Sequence, residues 1–74
     1  MKNELLKIFS KNLKIYLKQS GLNQKELAEK VGVYPSCVSK WLLMKTEPTL
    51  SNIAKITTIL NCTFEELIDP SVGK

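Results

Sequence analysis

The stretch from Asn23 to Trp41, "NQKELAEKVGVYPSCVSKW", limits the fold more than any other part of the chain. Two apolar patterns at helical spacing, each spanning about eight residues, stand on either side of a Val31-Gly32-Val33 step. Asn23 is a good N-cap for the first, and Glu26, three residues on, completes a capping box. Gly32 ends that helix, because glycine enters the left-handed turn without a Cβ penalty. Pro35 opens the second helix at a position where its missing N–H costs nothing. Leu27, Ala28 and Val31 of the first helix face inward with Val38, Trp41 and Leu42 of the second. Ser36, Ser39 and Lys40 fall on the opposite side of the second helix. Its outward tip therefore carries small polar residues.

The rest of the chain is helical too. A first helix is expected over about Glu4 to Gln19, with Leu5, Phe9, Leu13 and Tyr16, joined by Leu6 and Leu17, facing inward. Lys7, Lys11, Lys14 and Lys18 form its wet face. Ile8 and Ile15 lie off the main stripe and either widen the buried face or form a contact surface. A fourth helix is expected over about Leu50 to Leu60, capped by Thr49 after an extended Pro48, with Leu50, Ile53, Ala54, Ile56 and Leu60 inward. Asn61 takes its left-handed closing position. A short fifth helix runs from about Phe64 to Ile68 behind a second capping box, Thr63 with Glu66. No segment alternates with period two over a useful length. The expected fold is all-α, a compact bundle of five helices in one domain, residues 1–74, with a core of about 4–69 and a fraying tail at 70–74.

Composition removes several functions. The 74 residues include no histidine, no nucleophile beside a base and no carboxylate pair suited to acid–base work, so catalysis is not expected. Cys37 and Cys62 stand far apart and form no metal-ligand set; they read as small, partly buried apolar residues, and no metal or cofactor is expected. No window approaches a membrane span, and the charged start "MKNELLKIFSKN" is no signal peptide, so a cytoplasmic setting is expected. The net charge of +4 rests on lysine alone. A lysine surplus favours phosphate-rich partners, while the lack of arginine removes the commonest bidentate contact to guanine.

"LNQKELAEKVGVYPSCVSKW", followed by "PTLSNIAKI" and "LNCTFEEL", resembles the phage repressor/Cro (XRE-like) family of helix-turn-helix DNA-binding domains. The resemblance runs from about Leu13 to Ile68 and is carried by Gln24, Leu27-Ala28, Gly32-Val33, Val38, Trp41, Pro48, Leu60 and Glu66-Leu67. It implies a lambda-repressor-like bundle whose third helix enters the major groove of double-stranded DNA. The base-reading positions it implies are Tyr34, Pro35, Ser36, Ser39 and Lys40. Small residues there let the backbone approach the base edges, the serines donate or accept, and Tyr34 and Pro35 offer apolar surface to a thymine methyl. Asn23 and Gln24 match backbone-holding positions, and Lys45 is a further phosphate candidate. The implied protein is a small, Cro-like transcriptional regulator, a homodimer on a palindromic operator with no small-molecule ligand, and too short to hold a separate sensing domain.

The chain departs from that family at three places. The arginine–glutamate pair common between the first helix and the end of the recognition helix is here Leu17 and Leu42, expected to touch in the core. Met44 stands where glycine is usual, so the recognition helix is expected to run a turn longer, exposing Leu43 and Met44. Tyr34 is a poor N-cap beside the usual serine or threonine. These departures also motivate another reading, a protein-interaction module or antitoxin that keeps the fold without strong operator reading.

Overall fold

Helix α1 (Asn3–Gln19) is the longest element, and its apolar residues fall on a broad inward face. The computed structural model describes residues 3–73 and the side chains of 4–73; Met1, Lys2 and Lys74 lie outside the described residues. Leu6, Phe9, Leu13 and Leu17 are buried, with Phe9 and Leu13 sealed completely. Leu5 and Tyr16 are half-buried at the margins of this face, as are Ile8 and Ile15. Beyond α1 follow α2 (Gln24–Val31), α3 (Pro35–Leu42), α4 (Leu50–Leu60) and α5 (Phe64–Leu67). The five helices are those expected from the sequence, and no strand occurs among the described residues.

Packing places α2 against α3 and α4, while α1 lies against α3 and α5. Leu27, Val38, Ile56 and Leu67 bring the other four helices onto Phe9 and Leu13 in one core. Ala28, also fully buried, is small enough to let neighbouring helices approach closely. Leu17 is buried and Leu42 half-buried, and both pack into this cluster rather than onto opposite surfaces. Non-polar packing has taken over at both positions.

Two core sites on α1 are polar. Asn12 is fully buried, and its Nδ2 donates to the carbonyls of Glu66, Leu67 and Asp69 at 3.1, 3.1 and 2.8 Å. These carbonyls sit at the end of α5, where a helix leaves its acceptors without internal partners. Ser10 is buried as well, and its hydroxyl donates to the Trp41 carbonyl at 2.6 Å.

The structure corrects two expectations. Leu50 is 82% exposed and Ala54 is exposed, so neither belongs to the inward stripe of α4. At roughly 100° per residue, Leu50 lies about 90° round the helix from the centre of Ile53, Ile56 and Leu60, and Ala54 further still. Helix α3 does not run a turn longer; it stops at Leu42, with Leu43 as its C-cap. The described part of the tail makes local contacts. The Ser71 amide and hydroxyl donate to Asp69 Oδ1, Val72 N–H donates to the Asp69 carbonyl, and Gly73 lies so close to Ile15 that a Cβ there would come within 2.7 Å of its Cδ1.

Candidate nucleic-acid interface

The α2–α3 pair is fixed by its own local chemistry. Asn23 Oδ1 accepts from the Glu26 amide at 2.8 Å, and Glu26 Oε1 accepts from the Asn23 amide at 3.0 Å. This capping box engages the Asn23 oxygen and leaves its Nδ2 donor for another partner. Gln24 is exposed at the first position of α2, beside amides that have no carbonyl partner inside the helix. Gly32 closes α2 at φ 89°, and the Val33 amide returns to the Ala28 carbonyl at 3.0 Å. The chain thereby turns directly into α3.

Helix α3 has two unlike sides. Val38 is fully buried and Trp41 nearly so, which clamps one side to the core. Tyr34 (79% exposed), Pro35, Ser36 and Lys40 are exposed and Ser39 is half-buried. The structure thus brings together on one outward rim the five residues the sequence singled out on this helix. Tyr34 is the N-cap residue, yet its side chain makes no capping bond. Its ring is free of any role in ending the helix.

The C-terminal end of α3 is a tight turn and not the extra helical turn expected. Met44 adopts φ 61°, the left-handed region that glycine enters most easily. Its amide donates to the Trp41 carbonyl at 3.2 Å, and the Lys45 amide donates to the Lys40 carbonyl at 2.9 Å. This is a Schellman ending built without glycine. It ties the backbone of Lys40 to that of Lys45, which is exposed in the loop beyond. Leu43 and Met44 are left 61% and 40% exposed by the same turn.

Other chemistry is sparse among the described residues. No group of three or more histidine, cysteine, aspartate or glutamate side chains is placed to hold a metal. Cys37 and Cys62 are free thiols, both half-buried. Burial first, and the Glu66 carboxylate second, push the Cys62 thiol up from its ordinary value. No helix is long and apolar enough to cross a membrane.

The Helix-turn-helix family model matches residues 13–67, most of the chain and all of the α2–α3 unit. The chain belongs to the helix-turn-helix family. Two solved structures share the whole arrangement. One is the hypothetical transcription factor NHTF from Neisseria, with a TM-score of 0.84 and 25% identity over 96% of this chain and 83% of that one. Another is the SOS-response transcriptional repressor LexA from Eubacterium rectale, with a TM-score of 0.87 and 26% identity over 100% of this chain and 79% of that one. No curated protein matches the sequence. As a helix-turn-helix protein of the phage repressor/Cro type, the chain is a DNA-binding regulator and not an enzyme. Its fold holds α3 as the exposed second helix of the motif, the one that reads DNA in this arrangement.

Sequence reasoning missed two contributors to this geometry, Ser10 and Met44. Ser10 had a signal. It falls between Leu6, Leu13 and Leu17 at spacings of four, three and four, so it occupies a core position of α1. Met44 had one too, since it stands where glycine is usual in the family, and glycine enters a left-handed turn most easily.

Proposed function

We propose that the protein is a transcriptional repressor that binds a palindromic operator as a homodimer. Tyr34, Pro35, Ser36, Ser39 and Lys40 read base edges in the major groove, while Asn23, Gln24 and Lys45 hold phosphates. One observation carries this reading: the apolar side of α3 is buried through Val38 and Trp41 while Tyr34, Pro35, Ser36 and Lys40 of its polar rim are exposed. Serine hydroxyls on such a rim accept or donate to several bases, and Lys40 reaches guanine acceptors. The basic balance of the chain adds attraction for phosphate. Repression follows from occupying promoter DNA, on the chromosome within the cytoplasm.

In the dimer the two copies of α3 lie about 34 Å apart, one turn of B-DNA. The last two helices supply the contact. Phe64, at the start of α5, keeps 40% of its surface exposed, whereas Ile15, an alternative contact residue, is half-buried beside Gly73.

Selection from random duplex DNA, repeated at two salt concentrations, tests the reading. The expected result is an enriched palindrome with half-sites one helical turn apart and an affinity that falls steeply with salt. The exposed Leu43, Met44 and Leu50 favour a second reading, a protein-interaction module. Pools without an enriched site, together with a stoichiometric protein partner, would decide for it.

A further inference from the structure

Helices α1 and α3 pack together, and Leu13, Leu17, Val38 and Trp41 bury apolar side chains in their shared core. Burial of such groups is non-directional. It holds two helices together without setting a directional reference between them, and the fixed α2–α3 turn lies at the opposite, N-terminal end of α3. A directional bond is present at one end. The buried Ser10 hydroxyl donates to the Trp41 carbonyl at 2.6 Å, the short end of the range for O–H···O bonds. The same carbonyl accepts the Met44 amide, and the neighbouring Lys40 carbonyl accepts the Lys45 amide. Ser10 therefore grips the turn that carries both the proposed base-reading lysine and the proposed phosphate-holding lysine.

We propose that Ser10 is a positioning residue for DNA reading: from the interior of α1, its hydroxyl fixes the rotation and the C-terminal turn of α3, and so the relative placement of Lys40 and Lys45. Ser10 itself touches no DNA. The inference rests on the operator-reading function above. Its physical content is that discrimination between sequences depends on this buried bond, while the general attraction to phosphate does not. Base contacts need bidentate or aligned geometry, whereas phosphate attraction survives small shifts.

The test compares the wild type with Ser10→Ala, Ser10→Cys and Ser10→Thr, and with Ile56→Val as a core truncation on α4. Cysteine keeps the side-chain shape with a larger atom that donates weakly, and threonine keeps the hydroxyl. Each is titrated with its selected operator and with scrambled DNA of the same length, at a temperature where circular dichroism shows it folded. Ser10→Ala and Ser10→Cys are expected to lose discrimination on the order of tenfold while scrambled-DNA affinity stays unchanged. Ser10→Thr restores discrimination, and Ile56→Val retains it. Amide exchange at Met44 and Lys45 is expected to quicken in Ser10→Ala relative to the Gly32–Val33 turn. Should Ser10→Ala not fold, Ser10→Cys carries the comparison.

A folded Ser10→Ala or Ser10→Cys variant with full discrimination would overturn the proposal. So would equal loss in Ile56→Val, which would mark a general stability effect. A wild-type chain that selects no operator overturns the operator reading itself, and is recognised before any variant is compared. The exchange measurement then still decides whether Ser10 holds the turn: unaltered exchange at Met44 and Lys45 removes it.

Discussion

The Lys45 amide donates to the Lys40 carbonyl at 2.9 Å, across a turn whose middle residue, Met44, is held at φ 61°. The left-handed region costs a residue with a Cβ roughly 1–2 kcal/mol. Glycine loses more backbone freedom on folding, which returns roughly 0.5–1 kcal/mol of that gain. Met44→Gly is therefore expected to raise stability by about 0.5–1 kcal/mol, read as a higher urea midpoint at unchanged slope. An unchanged or lower midpoint would show that the packing of the Met44 side chain outweighs its backbone strain.

The two lysines joined by that turn are expected to differ on DNA. Lys40→Ala should relax base preference at one position of each half-site, at about 1–3 kcal/mol. Lys45→Ala should weaken binding to all sequences alike and reduce the salt slope by about one per subunit. Competition titrations at several salt concentrations separate the two. Equal effects on operator and scrambled DNA from both substitutions would assign both lysines to phosphate.

Asn23 joins capping to a proposed phosphate contact, and substitution to aspartate parts them. Aspartate caps as well as asparagine and adds a favourable charge at the start of α2. Asn23→Asp should therefore match or exceed the wild type in thermal stability while binding all DNA more weakly, since a carboxylate repels phosphate. Asn23→Ala should lower stability by about 1 kcal/mol. Full DNA affinity in Asn23→Asp would reduce the residue to a cap.

Asn12 closes α5 against α1 by donating to three carbonyls from a fully buried site. Asn12→Asp exchanges these donations for a buried charge facing carbonyl oxygens, and is expected to unfold the domain near neutral pH. Protonation removes the charge, so the variant should regain helicity as pH falls through a raised carboxyl pKa. Circular dichroism across an acid titration checks this. Constant helicity from pH 7 to pH 4, as wild type, would show that the site tolerates the charge.

Asp69 governs the tail turn. Hydrogen bonds from Ser71, side chain first and backbone second, hold its carboxyl below the ordinary value of 3.8. A folded pKa below the unfolded one means that this contribution is complete above about pH 4 and is lost as pH falls through the lower folded value. The Ser71 and Val72 amide resonances should shift on that acid limb, and Asp69→Asn should remove the titration from both.

Much of this protein is written in local pattern. Apolar spacing sets five helices, and the capping pairs Asn23–Glu26 and Thr63–Glu66 start two of them where the sequence predicts. Pro35 and Gly32 mark the turn that makes α2 and α3 a unit, and the α3 rim follows from helical periodicity around Val38 and Trp41. These features depend on neighbours within about four positions, which a sequence displays directly. Tertiary structure decided the rest. Ser10 and Asn12 became interior donors only because the carbonyls of Trp41 and Leu67 arrive from 31 and 55 residues away. Leu50 faces water because α4 meets the core along Ile53, Ile56 and Leu60. Helical periodicity tells which side of an element is apolar; only the assembled bundle fixes which part of that side finds a partner, and which polar groups must be satisfied inside it.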